Sequence, residues 1–347
     1  MYSSAREYAE IIKAEDFEYA AEPDDLEYRK VMLRDHYGSQ FKSMKYDLNL
    51  EFTPTRTKYQ HILDILHFFF CNTLPKEYQE RFAERFYYTT VDNRRMYAQI
   101  KRSPDKRFYA LFISSSLITI LHKLGKLMLA ACFPNRVVSC SRYPDEKVNR
   151  KQIVGMLAET YGYFKETKLP LGPMIILEGS VELEHRKTLA IQEKLLAYHE
   201  IAHVLNGDME ADADENQILS SDYPNLSYQR EYYADRIGFG LLFREERHYG
   251  SLDEKSKISI LSALITLFHI QYDLQGAETT LYPHPHDRLF AIIKCYYGEA
   301  SADIILKEVK RNVVPFMPLP ELPKFESKEI EMVAQVEQRL SAFFFKL

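Results

Sequence analysis

The sequence predicts a mainly α protein with a small sheet, an α+β chain in which helices carry the chemistry. Three observations lead there. Gly and Pro together number only 27 of 347 residues, fewer than turn-dense all-β architectures carry. Apolar residues recur at helical spacing over most of the chain. Extended signals are confined to short runs near Tyr46–Phe52 and Met174–Leu177. With 46% hydrophobic and 27% charged residues the chain can bury a sizeable core. Its 45 basic and 50 acidic side chains leave a net charge of −5, which gives no field to draw it onto nucleic acid. A Gly-x-x-x-x-Gly-Lys-Ser/Thr loop, a Gly-x-Gly-x-x-Gly turn and a Gly-x-Ser-x-Gly elbow are all absent. ATP dependence and serine hydrolase chemistry therefore gain no support.

In chain order, residues 1–50 are polar with weak helical signals. Helical periodicity covers about 57–71, 75–87 and 107–131, punctuated by Pro75, Pro104 and Pro134. The breaker cluster Lys168-Leu-Pro-Leu-Gly-Pro173 marks the main boundary. A helix is expected from about Arg186 to Leu205, stopped by Asn206-Gly207, both tolerant of the left-handed conformation that ends helices. Further helices are expected near Tyr228–Arg244 and from Ser251, with Glu254 completing a capping box, to about Leu274. Four prolines between Pro315 and Pro323 force extended chain. A final amphipathic helix, Glu326–Phe345, places Ile330, Val333, Val336 and Leu340 on one stripe that should dock on the core. The expected domains are residues 1–170, a helical region of unassigned role, 171–310, and a C-terminal extension over 311–347.

The two most apolar stretches, Tyr109–Leu121 and Ile258–Ile270, are each 13 residues, short of the roughly 20 that span a bilayer as a helix. They read as core helices of a soluble protein with no membrane insertion. Cys71, Cys132, Cys140 and Cys295 form no C-x-x-C pair and read as reduced thiols in a cytosol.

One constellation carries chemistry. His199-Glu200-Ile201-Ala202-His203 is an H-E-x-x-H pattern in helical context. At i and i+4 the two imidazoles stack on one helix face, so both can reach a single ion at about 2.0–2.1 Å. Glu200 lies about a third of a turn away and can face a water without binding the metal itself. Zinc prefers a third protein ligand, and 28 residues after His203 comes Glu231-Tyr-Tyr-Ala234-Asp235. On a helix Glu231, Ala234 and Asp235 share a face. Glu231 can supply the third ligand, Ala234 lets two helices approach, and Asp235 can accept a hydrogen bond from the outer nitrogen of His199 or His203. The bland alternative is an ordinary charged helix face.

HEIAHVLNGD followed by EYYAD resembles the glutamate-zincin metallopeptidases, and the E-x-x-A-D form is similar to the HtpX-like and prenyl-protein-protease family. Tyr282-Pro-His284-Pro285-His286-Asp-Arg288 is similar to that family's His-Pro…Arg segment, with the Arg closer to the His than usual. The likeness spans about residues 190–295. A soluble chain with a large N-terminal half of its own also resembles the Lit-type phage-exclusion peptidases, and the motif region resembles ImmA/IrrE-type regulators; residues 1–170 themselves resemble no family. The resemblance implies that His199, His203 and Glu231 hold Zn2+, that Glu200 is the general base, and that Asp235 orients a ligand. It also implies that a residue beyond the third ligand steadies the oxyanion: His284 by motif, with His286, Arg288 and Tyr233 as lesser candidates. Arg288 reads first as a structural partner to a carboxylate.

The expected activity is that of an intracellular, cytoplasmic zinc endopeptidase of the gluzincin type acting on a protein substrate. Substrate would add as a strand to a sheet edge along the cleft. Residues 1–170 are a candidate surface for a regulatory partner. The alternative is a regulatory or partner-binding module with a structural zinc and no turnover, and the identity of the metal, zinc or manganese, stays open. The five carboxylates of Asp208, Glu210, Asp212, Asp214 and Glu215 read as a solvated acidic loop, since they lack the Gly and Glu of a calcium loop. The basic run Arg94, Arg95, Lys101, Arg102, Lys106 and Arg107 reads as a solvated helix face.

Overall fold

Residues 107–131, expected as one helix, are two elements in the computed structural model, which describes residues 2–15, 59–91, 96–209, 224–250, 253–275, 283–300, 302–304, 307 and 329–346. Tyr109–Ser114 is the central strand (β3) of a sheet and every one of its residues is buried, whereas Ser115–Cys132 is a helix (α4). A strand buried on both faces is a continuous apolar run and shows no alternation, so periodicity alone cannot separate it from a buried helix.

The chain forms two compact units, residues 1–120 with 162–172, and residues 121–161 with 173–347. In the first, α1 (Ala5–Glu15), α2 (Gln60–Thr73) and α3 (Lys76–Arg85) accompany a three-stranded sheet. Its order is β1 (Phe86–Val91), β3, β2 (Ala98–Arg102), with β1 parallel and β2 antiparallel to β3. Ala5, Tyr8 and Ala9 of α1 pack with Val91, Phe108, Ala110 and Phe112. The basic run is a correction: Lys101 and Arg102 end strand β2, and Lys106 and Arg107 lie in the turn to β3. Arg102 and Arg107 lay their guanidinium groups over the rings of Tyr109 and Phe108. Arg94 and Arg95 lie outside the described residues, as do the possible strand near 46–52 and the proline-rich segment.

The described residues of the second unit are mostly helical, with a two-stranded antiparallel sheet, β4 (Val137–Cys140) with β5 (Ile175–Leu177). α5 (Arg150–Thr167) joins these strands in sequence. The motif helix α6 runs Gly179–Asn206, one and a half turns or more longer at its start than expected, and ends on Gly207 at φ 80°. α6 packs on α7 (Pro224–Tyr249) and α8 (Glu254–Gln275), and α7 also meets α9 (Pro285–Tyr297) and α10 (Glu329–Lys346). The α8 start is held by Asp253, whose carboxylate accepts from Ser256 N at 2.8 Å, while Ser251 lies outside the described residues. α10 packs on α7; of its expected stripe Val336 and Leu340 are buried and Val333 is half-buried, the side chain of Ile330 lies outside the described residues, and Phe343 and Phe344 are buried as well.

Among the described residues of this unit no sheet edge runs along the cleft, contrary to expectation. β5 precedes the start of α6, and twenty residues of helix, about 30 Å at 1.5 Å per residue, separate that end from His199. By length and composition α4 could cross a membrane, and 72% of it is buried inside the protein. No disulfide joins the four cysteines.

Candidate metal centre

The site forms where α6 and α7 cross, and two small residues on α7 permit the approach. Ala234 is fully buried. Gly238, one helical turn further along the same face, lies so close to α6 that a Cβ there would stand 2.8 Å from the His199 backbone nitrogen. That distance leaves no room for any side chain. Glu231, at the other end of this face, is thereby brought level with the two histidines.

One donor atom from each of His199, His203 and Glu231 falls within 4.8 Å of the others. The imidazoles face each other, Nε2 to Nε2 at 3.2 Å. Glu231 places one carboxylate oxygen 3.3 Å from His199 Nε2 and the other 3.6 Å from His203 Nε2. Each ring uses its outer nitrogen elsewhere. His199 Nδ1 meets Asp235 Oδ1 at 2.9 Å, and His203 Nδ1 meets Asp208 Oδ2 at 2.8 Å.

These contacts decide what the site can hold. A carboxylate only accepts, so both Nδ1 atoms must carry the proton, and in neutral rings both Nε2 atoms present lone pairs. Two lone pairs and a carboxylate thus converge with no donor between them, unless a proton or a cation is added. Glu231 Oε2 is buried, with long ionic contacts to His199 Nε2 at 3.3 Å and Arg288 Nη2 at 3.4 Å. The spacing fits a divalent ion, because two ligands about 2.05 Å from a tetrahedral metal stand about 3.3 Å apart. Two nitrogens and one carboxylate oxygen form a donor set that suits such an ion.

The electrostatics agree. Burial alone would drive the His199 imidazole down, but its bonds and charges from Asp235 and Glu231 hold it up at about 10. Burial would likewise raise the Asp235 and Glu231 carboxyls. Arg288 and His199 hold Asp235 well below the usual range, and His199 with Arg288 does the same for Glu231. Without a metal, a proton on His199 supplies the positive charge these carboxylates demand.

Arg288, from the second turn of α9, grips Asp235 through Nε at 2.7 Å and Nη2 at 2.6 Å. The same Nη2 lies 3.4 Å from Glu231 Oε2. Glu200, next to His199, is 9% exposed. His284 caps α9: its Nδ1 accepts from His286 N at 3.2 Å, and its ring packs on Tyr272. His286 is buried in a stack with Tyr272. Tyr233 is half exposed. Among the described residues no hydrogen bond or ion pair joins His284 or Tyr233 to the three donors.

Two participants escaped the sequence reading. Asp208 was counted with the acidic loop, whose other members lie outside the described residues. Its signal was its place directly after the Asn206-Gly207 stop, where a reversing chain returns to the helix end. Gly238 was the second, and its signal was the spacing Glu231, Ala234, Gly238, all on one face.

A family model described as Peptidase U49 matches residues 193–307. The match begins on α6 before the first histidine and extends past α9, so it contains His199, Glu200, His203, Glu231, Asp235, His284 and Arg288. It supports a peptidase family and a proteolytic function, with proteins as the substrates. No curated protein and no solved structure matches the chain.

Proposed function

We propose that the chain is an intracellular zinc-dependent endopeptidase of the gluzincin type, with His199, His203 and Glu231 as metal ligands and Glu200 as general base. The observation that carries this reading is the convergence of three acceptor atoms on one cation-sized gap, inside the segment matched by a peptidase family.

A divalent ion bound there supplies Lewis acidity, making a water more acidic and a carbonyl more electrophilic. The rest is the work of the chain. Glu200 lies on the same turn of α6 as His199 and about 100° around the axis, placed to take the proton of an attacking water and hand it to the leaving amine. Asp235 keeps His199 in the tautomer that offers Nε2, and Arg288 keeps Asp235 in place. For the developing oxyanion the reading takes His284. Its Nδ1 accepts the cap hydrogen bond, so in the neutral ring the proton is on Nε2, and that ring nitrogen is a donor.

The test is metal content by mass spectrometry on wild type beside Glu231→Ala, followed by turnover of Glu200→Gln. About one zinc per chain is expected in wild type, with strong loss in Glu231→Ala. Glu200→Gln should keep the metal and lose roughly 10²–10⁴ in rate. Wild-type turnover in Glu200→Gln would overturn the base assignment, and zinc binding with no turnover on any protein would favour a structural metal.

A further inference from the structure

We propose that Asp208 is a positioning residue for His203, and that the left-handed turn at Gly207 serves to bring it there. This inference rests on the metal-ligand reading of His203.

In a continuing helix, residue i+5 would lie about 140° around the axis from residue i, and its side chain could not reach that imidazole. Here α6 stops at Asn206, and Gly207 adopts φ 80°, which reverses the chain. Gly207 N then bonds Val204 O at 3.0 Å, and Asp208 N bonds His203 O at 3.0 Å, closing a Schellman motif. His203 is thus joined to Asp208 twice. Its carbonyl accepts from the Asp208 backbone, and its Nδ1–H donates to the Asp208 carboxylate at 2.8 Å. The backbone bond sets the height of the carboxylate, and the carboxylate sets the tautomer and the ring plane. His203 Nε2 is left aimed at His199 Nε2 and Glu231.

The hold on this carboxylate differs from that on Asp235. Arg288 clamps Asp235 with two short bonds, and its side chain is 5% exposed. Among the described residues Asp208 has only the Arg230 Nε, at 3.8 Å, as a cationic neighbour besides His203, and the Asp208 side chain is 16% exposed. The turn therefore does for Asp208 what the guanidinium does for Asp235. A partner of this kind on a metal-bound histidine is worth about 10–100-fold in metal affinity.

The experiment measures zinc affinity by competition with a chromophoric chelator for wild type, Asp208→Ala, Asp208→Asn and Gly207→Ala. The ring tautomers of the metal-free proteins are read by 15N NMR of the imidazoles. Asp208→Ala should weaken zinc about 10–100-fold and release His203 from the Nδ1–H tautomer. Asp208→Asn keeps the size and an acceptor oxygen, so it should lose less affinity and keep that tautomer. Gly207→Ala, strained at positive φ, should weaken zinc although residue 207 offers no side chain to the site. Unchanged zinc affinity and tautomer in Asp208→Ala would overturn the inference alone. Wild-type protein that takes up no zinc, with His203 already in the Nδ1–H form, would overturn the metal reading while sustaining the orienting role of Asp208.

Discussion

Helix α6 carries two imidazole contacts fourteen residues apart, and their surroundings are opposite in sign. At His185, Nε2 meets His122 Nδ1 at 3.1 Å; at His199, Nε2 meets His203 Nε2 at 3.2 Å. The nitrogen separations are nearly the same. Around His185 the charges are cationic: burial first, then His122 and Lys126, push its imidazole down to about 3. The nearby carboxylate of Glu182 is tied to Lys126 at 2.8 Å. Around His199 and His203 stand Asp235, Glu231 and Asp208. Two facing histidines thus make either a neutral hydrogen bond or a cation site, and the neighbouring carboxylates decide which.

The sharpest way to break this comparison is to remove one ring from each pair. His203→Ala should reduce zinc from about one per chain to near none, whereas His185→Ala should keep the zinc and lose roughly 1–3 kcal/mol of stability with its buried bond. Equal zinc loss in both variants would mean that the carboxylates do not discriminate. Next in size is Arg288→Ala. It leaves the buried Asp235 without its guanidinium, and about 3–5 kcal/mol of stability should be lost in urea unfolding of the metal-free protein. A cost below about 1 kcal/mol would place the restraint of Asp235 elsewhere.

Gly238→Ala should cost about 1–3 kcal/mol by overpacking against the His199 backbone. It should also weaken zinc, which a chelator competition would detect, although no ligand is altered. The last effects are in pH. Between about 3 and 6.5 the unfolded chain protonates His185 and the folded chain does not, so stability falls as pH drops through that window. Glu193, also on α6, is pushed up to about 7 by burial. Between 4.5 and about 7 the folded chain holds a proton that the unfolded chain has released, so stability falls as pH rises. Each group contributes up to about 1.4 kcal/mol per pH unit within its window. Urea unfolding of metal-free protein from pH 4 to 8 should show Glu193→Gln removing its share of the fall between about 4.5 and 7, with the His199 slope left above 6.5, and His185→Gln reducing the loss toward acid. An unchanged pH profile in Glu193→Gln would remove the buried carboxyl from the account.

How much of this was legible in the sequence depends on how local each feature is. The facing of His199 and His203 follows from i, i+4 spacing alone, and the stop at Asn206-Gly207 from the conformational freedom of two residues. The short run Met174–Leu177 also announced its strand. Tyr109–Ser114 did not, because burial on both faces removes the alternation that identifies a strand. The grip of Arg288 on Asp235 joins residues 53 apart and depends on how α9 crosses α7, which no local pattern specifies. Asp208 was hidden in a different way. It sits beside four other acidic residues, and only the chain reversal before it separates its role from theirs.

The contact at Gly238 bears on how related sequences should be read. A chain could retain His199, Glu200, His203 and Glu231 and yet carry alanine or serine at position 238. Any motif search would count it as an intact enzyme. Its two helices would be forced apart at that point, and Glu231 would stand further from the two histidines. How closely the two helices meet is therefore decided by a hydrogen atom's worth of space that the signature does not include.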